Sequence, residues 1–162
     1  MNTARLRPSP SSPADNAGPP PARISFRQPV AATGYIDAAW WPRTLDLTAE
    51  LPALMDVLWT AAREVNRVTY NLHAWDRAPR RMQIEGRTVH LGGFNSSDPL
   101  TVRLSDAWGR ERIDILVIAP DTAPAVADQA FRIASKVGDQ FNAGEILEHA
   151  RDTAAHNAAN RS

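Results

Sequence analysis

The chain has no cysteine, one lysine and no net charge. Without cysteine there is no disulfide, no thiolate nucleophile and no Cys-ligated zinc or iron–sulfur site. Lys136 stands against seventeen arginines. Together with abundant alanine this reads as GC-rich coding, so a given arginine need not have been selected for its forked geometry. A formal charge of zero and a pI near 6.9 set the whole chain apart from strongly basic nucleic-acid binders and from acidic tails. No apolar run approaches the length of a membrane span. The N-terminus, Met1 to Pro8, carries arginines but no apolar stretch behind them, unlike a secretory signal. The expected compartment is the cytoplasm, with no membrane contact.

What remains is enough for one domain with tails. Of 162 residues, 43% are apolar, which suffices for a single core. Residues 1–22 are Pro, Ser, Ala, Asn and Gly, too poor in large apolar side chains to offset their ordering entropy, and read as a disordered leader. Residues 23–137 read as a single α+β domain, and 138–162 as a polar tail with a weak helix near 142–154.

Within the domain, Ile24 and Phe26 alternate with Arg23 and Ser25 as in a short edge strand ended by Pro29. Gly34 to Trp40 reads as a second strand stopped by Pro42. Leu47, Leu51, Leu54, Met55 and Leu58 recur at helical spacing and predict a helix to about Glu64. Asp46 and Thr48 are its candidate N-caps, and Pro52, tolerated only near a first turn, favours Thr48. Alternating runs follow at 68–72, 82–84, 89–91 and 100–104, with a turn at Glu85-Gly86-Arg87 between the second and third. Ile113-Asp-Ile-Leu-Val-Ile118 is apolar on both faces and is placed centrally. Thr122 and Pro124 start a second main helix, with Val126, Ala130, Ile133, Ala134 and Val137 as its buried stripe. The expected architecture is a mostly antiparallel sheet of about five to six strands, with two main helices packed on one face.

The joint between the second strand and the first helix draws most attention. Trp40 and Trp41 are neighbours on a strand and must point to opposite faces, one into the core and one near Pro42 and Arg43. Tryptophan and arginine commonly anchor interfaces. The competing structural reading has both rings capping the sheet, with Arg43 stacked on one of them. Trp75 and Trp108 lie in loops with acids and arginines beside them. With Trp41 they line one groove or serve as lids over the sheet ends.

Gly34, Asp37, Trp40-Trp41-Pro42-Arg43, Glu50-Leu51-Pro52, Arg80-Arg81 and Asp114 to Ile118 resemble a family of small actinobacterial proteins known as a domain of unknown function, DUF5994. The resemblance spans roughly residues 23–136. It implies a soluble cytoplasmic protein from a high-GC bacterium, and it implies no activity.

No motif of chemistry competes with that picture. There is no G-x-S-x-G, P-loop or G-x-G-x-x-G, and His90-Leu-Gly-Gly93 lacks a nucleophile elbow. His73 and His90 with Asp37 or Asp114 lack metal-ligand spacing and read as strand histidines. Asp114, between isoleucines, reads as half of a structural Asp–Arg bridge. No catalytic residue, metal or cofactor is assigned. Arg63, Arg67, Arg77, Arg80, Arg81 and Arg87 form a local basic excess, and Tyr70 and Trp75 lie among them. That suits single-stranded nucleic acid, although no nucleic-acid signature accompanies it. The first reading is therefore a non-catalytic interaction or regulatory domain. It presents Trp41, Arg43, Trp75, Arg80, Arg81 and Trp108 to a protein partner. A small-ligand-binding protein or enzyme with a pocket at the sheet face comes second, and a nucleic-acid-associated protein third. Oligomeric state is not encoded in any of these features.

Overall fold

A computed structural model describes residues 20–27, 36–136 and 141–161. The leader through Pro19, Pro29, Gly34, Tyr35, Val137 and Gly138 lie outside these. The described strands are β1 (Ile24–Phe26), β2 (Ala38–Trp40), β3 (Arg67–Asn71), β4 (Arg81–Ile84), β5 (Arg87–Phe94), β6 (Thr101–Ser105) and β7 (Arg112–Val117). The helices are α1 (Leu47–Thr60), α2 (Pro124–Ser135) and α3 (Ala143–Asn160).

All seven strands form one sheet in the order β1-β2-β7-β6-β3-β5-β4. The class is α+β, but the sheet is mixed where a mostly antiparallel one of five to six strands was expected. β2 pairs parallel to β7 and β3 parallel to β5, while the other four pairings are antiparallel. As a result β2, β7, β3 and β5 all point the same way. Between β3 and β7, hairpin pairing of successive strands holds for β4–β5 and β6–β7 only. It fails at β3, which takes β5 and β6 as neighbours and leaves β4 at the edge.

The helices lie on both faces, which corrects the one-face arrangement. α1 packs Leu47, Leu51, Leu54, Met55 and Leu58 against Trp40, Val68, Leu104, Ile113 and Ile115. On the other face α2 and α3 pack Ala127, Ala130, Ile146 and Leu147 against Ile36, Ala39, Leu116 and Ile118. Period-two alternation explains the split: Ile113, Ile115 and Val117 serve one core and Leu116 the other. β7 is thus apolar on both faces because both faces are covered.

Local chemistry sets the element ends. Asp46, rather than Thr48, caps α1. Its Oδ1 accepts from the Thr48 N–H at 3.0 Å and from the Thr48 hydroxyl at 2.6 Å. Pro52 therefore sits in the second turn and cannot donate to the Thr48 carbonyl. α1 ends four residues before Glu64, in a Schellman closure: Ala62 N–H donates to the Trp59 carbonyl and Arg63 N–H to the Leu58 carbonyl. Ala62 takes the left-handed position at φ 63. The β4–β5 hairpin turns on Glu85 (φ 50) and Gly86 (φ 79), both positive as a type I′ turn demands. α2 is capped by Ala123, which offers no side-chain hydrogen bond, and not by Thr122, while Pro124 takes the first turn as expected.

The C-terminal helix is longer than its sparse large apolar residues suggest. Asn142 and Glu145 form a reciprocal capping box, with side-chain to backbone bonds of 2.9 and 3.0 Å. Ala143, Ala150 and Ala154 are buried beside Ile146 and Leu147. Small residues allow close approach to α2, and their contribution does not register as a hydrophobic stripe.

Candidate functional site

The two tryptophans of the joint divide as alternation requires. Trp40 is 1% exposed and faces α1. Trp41 lies half-buried against the other core, and its indole N–H donates to the Ala119 carbonyl at 3.0 Å. The cation over the Trp41 ring is Arg23, at 3.9 Å from the centroid, and not Arg43. Arg23 also donates to the carbonyls of Trp41 (2.9 Å) and Pro42 (3.2 Å), fastening β1 over the joint. Burial lowers the Arg23 pKa, the nearby Arg43 charge lowers it further, and Glu50 works in the opposite direction. Arg43 is exposed and donates to the Pro21 carbonyl at 3.0 Å.

The other predicted surface residues do not join this joint on one face. Trp75 is 6% exposed and stacked on Trp40. Arg80 and Arg81 are exposed at the β4 edge, the lateral margin farthest from β1. Trp108 is 79% exposed in the β6–β7 turn, at the end of the sheet opposite Trp41. A single Trp/Arg surface is therefore not assembled. Sequence alone could not show this, because the strand order that separates these residues is decided by non-local pairing.

A cavity of about 880 Å³ is assembled instead, at the end of the sheet toward which β2, β7, β3 and β5 run. Five separate stretches line it. Thr44 and Leu45 come from the approach to α1, and Ala74, Trp75 and Asp76 from the loop after β3. Pro99 and Leu100 precede β6. Val117 and the β7–α2 connection, through Val126, form the floor and one wall, and Leu147 and Arg151 of α3 close the side. The lining is mainly apolar. Asp76, Asp121 and Arg151 are exposed side chains and bring the only charges among the described lining residues.

Hydrogen bonds hold the wall in place. Asn71 is buried at the end of β3. Its Oδ1 accepts from the N–H groups of His73 (2.7 Å) and Ala74 (3.1 Å), and its Nδ2 donates to the Ser97 carbonyl (2.6 Å). One side chain thereby fixes both the Trp75 loop and the loop leading to Leu100. The Asp76 N–H donates to the Leu45 carbonyl at 2.9 Å, tying the Trp75 loop to the start of α1. Glu50 accepts from the Arg43 N–H (3.1 Å) and the Thr44 hydroxyl (2.9 Å), which sets the rim at Thr44. Of the predicted residues only Trp75 lines the cavity. Asn71, Thr44, Asp121, Thr122 and Arg151 were missed. Asn71 alone left a signal, an Asx residue where an alternating run meets a loop.

A family model described as a family of unknown function (DUF5994) matches residues 23–134. The chain belongs to DUF5994. No curated protein and no solved structure matches it. The matched region of this DUF5994 chain takes in every strand, α1 and nearly all of α2, and so most of the cavity lining; Leu147 and Arg151 of α3 lie beyond it.

Other chemistry is structural. The Asp114 carboxylate accepts from Arg103 Nε at 2.8 Å and from Arg112 Nη2 at 3.0 Å, so the expected Asp–Arg bridge is a triad. Its backbone N–H donates to Asp37 Oδ2 at 2.9 Å. Among the described residues, no three His, Asp or Glu side chains cluster as metal ligands. Among them, no helix is long and apolar enough to cross a membrane.

Proposed function

We propose that this DUF5994 domain is a non-catalytic binding module for a small, mainly apolar molecule held in the cavity at the sheet end. The carrying observation is that cavity: about 880 Å³ falls within the roughly 300–1,000 Å³ of ligand pockets, and an apolar lining with a few polar groups at the rim is what such pockets present. The non-catalytic reading rests on the lining chemistry. His, Cys, Lys, Ser and Tyr are absent among the described lining residues. The two threonine hydroxyls, Thr44 and Thr122, have no histidine or lysine beside them in the lining to act as a base. Asp76, Asp121 and Arg151 orient a polar end of the ligand at the mouth.

The test is titration with Nile red, an uncharged apolar dye, together with native mass spectrometry for a co-purifying small molecule. Saturable fluorescence enhancement by the intact chain is expected. Ala119→Trp and Ala123→Trp place an indole at exposed rim positions and should reduce that enhancement at least tenfold while circular dichroism stays unchanged. No saturable enhancement, or equal enhancement in both variants, would remove the cavity as a binding site.

A further inference from the structure

Among the described residues, the face of the sheet that carries α2 and α3 is covered only in part. Those helices pack over β1, β2 and the adjoining side of β7. Farther out, on β6, β3, β5 and β4, the residues of this face are exposed or half-exposed apart from Asn71. Pairing register places them in rows. One row reads Arg81, His90, Arg67, Ser105 and Arg112 across five consecutive strands. At about 4.8 Å per strand, its ends are about 19 Å apart. Arg103 and Asp114 stand in the next row, beside Thr69 and Gly92. The chain as a whole is neutral, yet these strand positions carry four guanidinium groups against the one carboxylate of Asp114.

The guanidiniums are also available. Arg67 and Arg81 make no ion pair or hydrogen bond through their side chains among the described residues. Arg103 and Arg112 are held by Asp114 through Nε of the first and Nε and Nη2 of the second. Their other N–H groups have no partner among the described residues, and the side chains are 49% and 58% exposed. Asp114 orients this pair and offsets one of its two charges, which leaves a net positive face.

An aromatic ring lies on the same face. Phe94 shares the parity of His90 and Gly92, and it is 53% exposed. Its ring folds back over Gly92, where an added Cβ would sit 3.2 Å from Phe94 Cε2. The glycine thus leaves room for the ring over the sheet while about half of the residue stays exposed. Cations in rows with an exposed ring on an open sheet are the two elements that hold single strands: phosphates on the first, a base on the second.

We infer that the open face of β6, β3, β5 and β4 binds single-stranded nucleic acid, through Arg67, Arg81, Arg103 and Arg112 for the backbone and Phe94 for base stacking. The site is separate from the cavity and does not depend on it. Charge selects a polyanion, and the exposed ring selects one with accessible bases over an acidic peptide or a duplex.

The experiment is fluorescence anisotropy of the full chain with short labelled single-stranded RNA and DNA of one sequence, the matching duplex, and polyglutamate as competitor, each across a salt series. Binding of either single strand is expected, with log K falling against log salt at a slope of about −2 to −3 for three to four neutralised phosphates. Arg67→Ala with Arg81→Ala should bring the slope about 1.4 units closer to zero. Phe94→Ala should weaken binding about five- to a hundredfold at unchanged slope, and Phe94→Trp should restore it. RNA and DNA arms that differ identify the preferred strand. No binding at the lowest salt overturns the proposal. So does a duplex or polyglutamate that binds as tightly as the single strand, or a folded Phe94→Ala variant of unchanged affinity.

Discussion

The indole of Trp75 stacks on that of Trp40, with ring centroids 5.5 Å apart and planes 21° from parallel. Trp40 is anchored on β2, under α1, and Trp75 belongs to a loop. The stack converts that loop into a fixed wall of the cavity.

Removing either ring should therefore cost more than its own burial. Trp75→Ala is expected to destabilise the chain by about 3–5 kcal/mol, as other large aromatic truncations do. A double-mutant cycle with Trp40→Ala should return a coupling of about 0.5–1.5 kcal/mol from the stacked pair. Urea unfolding followed by far-ultraviolet circular dichroism measures both. Additive losses would mean that the rings are merely neighbours.

Asn71 should prove a positioning residue for the cavity. Asn71→Ala leaves the His73 N–H and the Ser97 carbonyl without their partners, while the Ala74 N–H keeps the Asn71 main-chain carbonyl at 3.2 Å, for a loss of about 2–3 kcal/mol in total. Asn71→Asp keeps the acceptor for His73 and Ala74 but sets a buried carboxylate oxygen against the Ser97 carbonyl, so its loss should be at least as large. Hydrogen exchange at the His73 amide separates the cases, with fast exchange expected only in the alanine variant.

At the end of α1 a gain is expected. Ala62 holds a left-handed position that costs an L-residue with a Cβ about 1–2 kcal/mol. Ala62→Gly relieves that strain but adds freedom to the unfolded chain. A net stabilisation of about 0.5–1 kcal/mol should appear as a higher urea midpoint with an unchanged m-value. An unchanged or lower midpoint would argue against the Schellman closure.

Acid sensitivity should include a contribution from the β6–β7 turn. Slight desolvation pushes the Asp106 carboxyl up, but the backbone N–H groups of Glu111, Arg110, Gly109 and Trp108 outweigh it and hold the pKa below 3.8. A carboxyl with a depressed folded pKa adds stability that is fully present above its unfolded value. That stability is lost as pH falls through the folded one. Stability of the wild-type chain should therefore drop more steeply below pH 3.8 than that of Asp106→Asn. Parallel pH profiles of the two urea midpoints would refute this role.

Much of the local structure is legible in the residues. The α1 stripe, the β4–β5 hairpin and the central place of the Ile113 to Ile118 strand, apolar on both faces, follow from periodicity and turn chemistry. The α1 cap was not readable in the same way, because Asp46 and Thr48 are both good caps and only geometry shows which side chain accepts. The length of α3 was hidden for another reason: its buried residues are mostly alanines, which pack closely without raising hydrophobicity.

By itself the sequence determined the helices, the short strands, the opposed directions of Trp40 and Trp41, and the absence of thiol chemistry, because each depends on neighbours a few residues apart. Tertiary structure decided the sheet order, the placement of helices on both faces, the cavity and the open basic face. β2 lies beside β7 although Asp37 and Asp114 are 77 residues apart. A parallel pairing across that distance leaves no periodic trace, since its free energy comes from burying both cores at once. That pairing helps gather five distant stretches into one cavity, and the pairings of β4, β5, β3, β6 and β7 line up arginines from four strands on one face.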